Sequence, residues 1–188
     1  MVWRGSASVL LTIALGVPSA ANAILSHVSS ARVGVDADDR ARGVARMVGG
    51  IVSYSRWPDQ AGNVTICTMG TTRYAQRLAD AGATAGRSVT TRAIAPGSSA
   101  AQQGCDVLYL GATTPALQQK AIAAIHGQAV LSIAEADPAC RGGAMFCLVL
   151  TGDQLTFRLS IDAISRGTVR VDPRVLRLFD DGSGREAA

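Results

Sequence analysis

The sequence predicts an α/β domain: a mixed β-sheet, parallel in its first part, ending in a C-terminal antiparallel hairpin, with helices on both faces. Three observations predict it. The run Cys105-Asp106-Val107-Leu108-Tyr109-Leu110-Gly111, opened by Gly104, is almost wholly apolar or aromatic after its aspartate, as a strand buried on both faces requires. Short runs of this kind alternate with helix-period stretches through the middle of the chain, the order that right-handed crossovers link into a parallel sheet. The last third instead brings two apolar runs, Ala144 to Leu150 and Leu155 to Ser160, separated by Thr151-Gly152-Asp153-Gln154, which is a hairpin signal.

The chain begins with Met1 to Arg4, a short positive region, followed by the apolar run Val9 to Val17, Pro18 and the small-residue site Ala21-Asn22-Ala23. This is the pattern of a secretory leader, residues 1–23, cleaved after Ala23. The apolar run is roughly half of the ~20 residues a membrane span needs. The mature protein is therefore expected outside the cytoplasm. Residues 24–35 lack periodicity and are expected to be a flexible lead-in, the domain is expected over 36–179, and 180–188 are expected to be a disordered tail.

Asp36 and Asp39 stand where a helix cap and a first-turn carboxylate are favoured, and Val44, Met47, Val48, Ile51 and Val52 follow at helical spacing. Arg40, Arg42 and Arg46 fall on the opposite, solvated side. Gly49-Gly50 weakens the last turns or permits close packing, and the helix must stop before Trp57-Pro58. A strand over Asn63 to Met69 carries Cys67. Thr71-Thr72 open a helix with Tyr74, Ala75, Leu78 and Ala79 on one face, stopping near Gly82. Arg87 to Ile94 has a weak strand signal, and Pro96-Gly97-Ser98-Ser99 is a loop. After the Cys105 strand, Thr114-Pro115 is a cap followed by proline at the first helical position, and Leu117, Ala121, Ile122, Ala124 and Ile125 form the buried stripe up to Gly127. Gln128 to Ile133 is a further strand. A short helical turn starts at Asp162, and Asp172-Pro173 starts a final short helix with Val175, Leu176 and Phe179.

The 188 residues, 48% hydrophobic, suit one globular domain. The net charge is only +4, Lys120 is the single lysine, and the arginines are scattered without interleaved aromatics, which excludes nucleic acid as a partner class. In an exported chain, Cys67, Cys105, Cys140 and Cys147 read as disulfides before metal ligands. Four cysteines allow three pairings; if the Cys67 and Cys105 runs are sheet neighbours, a bridge can tie them. No short C-x-x-C pair is present and both histidines are remote, so no metal is expected. His27 in the lead-in and His126 at a helix end are expected to be uninvolved. No catalytic or cofactor-binding motif occurs, and glutamate is limited to Glu135 and Glu186, so neither catalysis nor a cofactor is expected.

Five fragments together resemble the YfiR family of small periplasmic proteins: Ile51 to Pro58, Cys105 to Gly111, Val130 to Ile133, Gly143 to Leu148 and Val169 to Leu176. Their order, with four matching cysteines behind a leader, covers most of residues 36–179. The resemblance implies a non-enzymatic repressor that binds the periplasmic sensor region of an inner-membrane diguanylate cyclase and lowers cyclic di-GMP, so that biofilm formation follows envelope conditions. It also implies disulfides Cys67 with Cys105 and Cys140 with Cys147, and a homodimer. Such bridges serve either to stabilise a small exported fold or, where one is redox-sensitive, to tune repression by its loss.

Two surfaces are candidates for binding. In Arg56-Trp57, a guanidinium beside an indole can stack on an aromatic ligand and pair with an anion, while Pro58 fixes the turn. With Arg170, which falls in another matching fragment, these would line a site for a small aromatic or anionic ligand. The alternative fate for Trp57 is to cap the core. Val169, Val171, Leu176 and Leu178 form an apolar terminal segment that would dock a protein partner if exposed; core packing is their other fate. A small-molecule binding protein built on Arg56 and Trp57 is the alternative to the repressor.

Overall fold

The computed structural model describes residues 1, 24–26, 30–58, 62–99 and 103–178. The leader other than Met1, His27, and the chain from Phe179 onward, including the expected tail, lie outside the described residues.

Asp36 caps helix α1 (Ala37–Ser53), its carboxylate accepting a hydrogen bond from the Asp39 N–H at 2.7 Å. The stripe expected from helical spacing is the buried one: Val44, Met47, Val48, Ile51 and Val52 are at most 1% exposed. The helix runs through Gly49 and Gly50, which sit where neighbours press closest. A Cβ on Gly49 would lie 2.4 Å from the Ala81 carbonyl oxygen, and one on Gly50 would lie 2.4 Å from a Leu178 methyl. Both glycines therefore serve packing.

Beyond α1 the chain makes β3 (Ser55–Arg56) and β4 (Asn63–Met69), then a 3-10 turn at Ala75–Asp80 and helix α2 (Ala81–Ala85). Next come β5 (Ser88–Ala93), β6 (Val107–Leu110), α3 (Pro115–Ala124) and β7 (Leu131–Ala134). The hairpin β8 (Phe146–Thr151) and β9 (Gln154–Ser160) turns at Gly152. Helix α4 (Ile161–Arg166), strand β10 (Arg170–Val171) and a 3-10 turn at Pro173–Arg177 complete the described chain. Two short strands precede α1, β1 (Ile24–Ser26) and β2 (Ala31–Arg32).

Among the described residues, β5-β4-β6-β7-β8 is a parallel sheet in that spatial order, and β9 pairs antiparallel to β8. β1 and β2 both pair antiparallel with β9. The expected mixed sheet is thus present. Alternation along each strand divides the core between its two faces. Val107 and Tyr109 join α1, α2 and the C-terminal turn on one face, while Leu108 and Leu110 join Ala121 of α3 and Ile125 just after it on the other. All four residues of β6 are fully buried, so this strand is central on both sides.

Within the stretch expected to be a flexible lead-in, β1 and β2 pair with the open edge of β9, whose unpaired backbone groups supply their register. One expectation is corrected. The helical stretch after β4 continues past Gly82 and ends at Gly86, which adopts φ 65°. Gly82 instead lets the Arg87 carbonyl approach, to 2.7 Å from where its Cβ would be.

Replacing Gly49 by alanine adds helix propensity of about 1 kcal/mol but drives a methyl into a backbone oxygen, an overpacking of about 1–3 kcal/mol. Gly49→Ala should lower the thermal midpoint, and by more than Gly50→Ala, whose obstacle is only the end of a side chain. Calorimetry on the two variants measures the order.

Candidate functional site

Helix α1 ends at Tyr54, whose N–H returns to the Gly50 carbonyl, and the chain leaves it as β3. Ser55 turns inward, fully buried, its hydroxyl donating to Ile51 O at 2.8 Å. By strand alternation Arg56 then points outward. β10 pairs antiparallel with β3, Val171 opposite Ser55 and Arg170 opposite Arg56, and the Asp172 N–H closes the ladder on Tyr54 O at 2.9 Å. Two exposed arginines, 114 residues apart in the sequence by their numbers, therefore face each other across a ribbon. Directly opposed like charges destabilise a strand pair, so an anion placed over them would be held favourably.

The ribbon carries its own counter-charge. The Asp172 carboxylate accepts from the Arg174 N–H at 2.9 Å and from the Arg174 guanidinium at 2.7 and 3.0 Å, which caps the C-terminal turn. These bonds, with the nearby charge of Arg56, hold Asp172 at a pKa of about 2. Arg174 also lies 6.0 Å from the centre of the Tyr54 ring. Arg174 and Tyr54 were not singled out from the sequence; the signal was present in Asp172-Pro173-Arg174, where a capping aspartate two residues before an arginine favours this fork.

Trp57 takes the core-capping role. It is 7% exposed, its indole N–H donates to Asp106 O at 3.1 Å, and Arg87 sits 5.9 Å from its ring centre. The structure brings Arg56 and Arg170 together but turns Trp57 beneath them, and none of the three lines the cavities of about 450 and 390 Å³. The apolar terminal segment is likewise turned inward. Val169 is 1% exposed, and Val171, Leu176 and Leu178 are half-buried against the same core. What this segment offers outward is mainly Arg170, Arg174 and Arg177. His126, expected to be uninvolved, lines a mostly apolar cavity of about 450 Å³ with Ile122, Met145 and α4.

Both disulfides form. Cys67 and Cys105 join β4 to the entry of β6 with Cα atoms 5.7 Å apart, and Cys140 and Cys147 close the loop before β8 with Cα atoms 5.5 Å apart. No cysteine is free. The Arg92 guanidinium lies over the first bridge, 3.6 Å from Cys67 Sγ and 3.4 Å from Cys105 Sγ, and also donates to Gln103 O at 2.9 Å.

In an open α/β sheet the usual ligand crevice lies outside the carboxyl ends of the strands where the order reverses, which here is between β4 and β6. Backbone closes that crevice. Thr71 and Ala112 form an antiparallel bridge with bonds of 2.9 and 2.8 Å, and Gly111 lets Thr71 approach so closely that a Cβ there would stand 2.5 Å from Thr71 O.

A profile of YfiR/HmsC-like proteins matches residues 42–179, more than half of the chain. The chain belongs to the YfiR/HmsC-like family. This family is periplasmic, and it is regulatory rather than catalytic, within the diguanylate cyclase system. Among the described residues no helix is long and apolar enough to cross a membrane. A solved structure described as O-acetylhomoserine sulfhydrylase from Wolinella succinogenes matches with TM-score 0.40 and 11% identity over 69% of this chain and 48% of that one. The chain spans about half the length of that structure, and a likeness this slight carries no functional argument.

Two measurements test the site. The Cys67–Cys105 bridge spans 38 residues and the Cys140–Cys147 bridge spans 7. The chain-entropy estimate gives about 4 and about 2.5 kcal/mol respectively, so removing the first by paired alanine substitutions should cost more in denaturant unfolding. For Asp172, the folded pKa lies below the ordinary 3.8, so its contribution is complete above that value and lost as pH falls toward 2. In Arg174→Ala the Asp172 carboxyl, followed by NMR, should titrate closer to 3.8.

Proposed function

We propose that this protein is exported, with its leader cleaved after Ala23, and that it represses an inner-membrane diguanylate cyclase by binding the cyclase's periplasmic sensor region. The observation that supports this most is the family match over residues 42–179. The domain is taken as 36–179, acting as a homodimer. It works by binding and not by catalysis.

The contact surface proposed is the β3–β10 ribbon. Arg56 and Arg170 face an acidic patch on the partner, with Arg174 beside them. Val171, Leu176 and Leu178 contribute through their partial exposure, and buried Val169 supports the ribbon from below. Cys67–Cys105 is the bridge proposed to tune repression, since a guanidinium against sulfur favours the thiolate that reduction releases. Its sulfurs lie in residues 0% and 6% exposed, so exchange waits on local opening. A small ligand on the same arginines is the second reading; opposed arginines favour its anionic part, while the burial of Trp57 disfavours aromatic stacking there.

Deleting the gene should raise cyclic di-GMP, and deleting the cyclase as well should abolish the rise. Wild type should restore repression, and Arg56→Glu/Arg170→Glu, confirmed folded by circular dichroism and free of thiols, should not. Unchanged cyclic di-GMP on deletion would remove the repressor reading. Full repression by the double variant would remove the ribbon from it.

A further inference from the structure

The open space at the carboxyl edge of the sheet is displaced from the closed β4–β6 crevice to the neighbouring strands. A cavity of about 390 Å³ lies there, its wall including Arg40, Arg73, Tyr74, Glu135, Leu148 and Leu150. Small-molecule sites run from about 300 to 1,000 Å³. Arg40 projects from the first turns of α1, which the chain direction places at this edge. Arg73 follows the Thr71–Ala112 bridge, and Glu135 follows β7 directly.

The polar groups are prepared unequally. Both Glu135 oxygens already accept, Oε1 from the Arg73 backbone N–H and Oε2 from the buried Tyr109 hydroxyl at 2.7 Å. Burial and the Glu135 charge push the Tyr109 pKa well up, so the hydroxyl remains a donor. Arg40 Nε is the opposite case: it is buried and has no hydrogen-bond partner among the described residues. Such an orphaned donor is costly unless something else fills it.

We infer that this cavity binds a small monocarboxylate with an apolar body, whose carboxylate meets Arg40 and Arg73 and whose body lies on Tyr74, Leu148 and Leu150. Two guanidinium groups against one carboxylate leave a net single positive charge, which matches a monoanion. Glu135 in the same wall repels a dianion such as phosphate, and the two arginines repel a metal cation. The planar guanidinium fork fits a carboxylate in two-point geometry. The site is separate from the β3–β10 ribbon and shares no residue with it.

The test is binding to the full chain with its disulfides intact, followed by NMR of arginine Nε–H groups and by calorimetry. The probes are benzoate, hexanoate, neutral benzamide and inorganic phosphate. Benzoate and hexanoate should shift Arg40 Nε–H saturably, and benzamide should bind at least about tenfold more weakly, the loss of one charged hydrogen bond. Arg40→Ala and Arg73→Ala should each weaken benzoate by about the same factor. Arg40→Lys, which keeps the charge without the fork, should weaken it too. If Arg40→Ala does not fold, exposed Arg73 carries the test. Benzamide binding as tightly as benzoate, phosphate binding more tightly, no saturable shift, or indifference to both arginine variants would each overturn the inference. No cyclase takes part in this measurement, so its outcome is independent of the repressor reading.

Discussion

The amino end of β6 is the point on which the remaining geometry depends. Asp106 O accepts from Leu131 N at 2.9 Å and from the Trp57 indole at 3.1 Å, while the Asp106 side chain accepts from Thr65 N at 2.7 Å. One residue earlier, Cys105 is bonded to Cys67. A single dipeptide thus ties β4, β6, β7 and the exit of α1 together, covalently once and by hydrogen bonds otherwise. Each neutral bond contributes only about 1 kcal/mol net, but they fix different elements to the same atoms. Losing the indole donor would leave β6 in place and free the turn that aims Arg56.

That dependence explains why the two ends of the sheet differ chemically. At the amino edge, the Trp57 anchor fixes β3 and therefore the ladder to β10, and the residues left outward are arginines. At the carboxyl edge, Gly70 at φ 81° and Gly111 allow two strand exits to pair by backbone alone, which removes the crevice where doubly wound sheets hold ligands. An architecture suited to cofactors is used here with that position sealed. Regulation by contact is consistent with such a sheet, because the chemistry sits on ribbons and edges instead of in a central cleft.

How much of this was legible in the sequence varies with the range of the physics involved. The α1 stripe, the β6 run, the Thr114 and Asp172 caps and the β8–β9 turn are local signals, and each stands where spacing placed it. β1 and β2 were not legible, since strands of three and two residues carry no usable alternation and take their register from β9, more than 100 residues away. Trp57 beside Arg56 read either as a surface pair or as a core cap, and what decides for the cap is long-range: a carbonyl at Asp106 provides the buried indole with its acceptor. Arg40 read as solvated from its helix position. The wall that encloses it comes from Glu135 and Leu148, which no local pattern links to α1.

The placement of the acids completes the argument. Several aspartates are spent on nearby partners: Asp36 on a cap, Asp38 with Arg42, Asp162 with Arg166, and Asp172 with Arg174, while Asp38 also reaches Arg77 from the next helical stretch. These pairs are exposed, and pairs of that kind contribute little stability, typically ~0–1 kcal/mol. Their larger effect is on where positive charge remains. Among the described residues, Arg56, Arg170 and Arg40 enter none of these ion pairs, and they stand on the ribbon and in the cavity. A modest excess of charge, too scattered in sequence to suggest any partner, thus gathers in two defined anion-attracting places, while Arg42, Arg77, Arg166 and Arg174 are paired locally with aspartates.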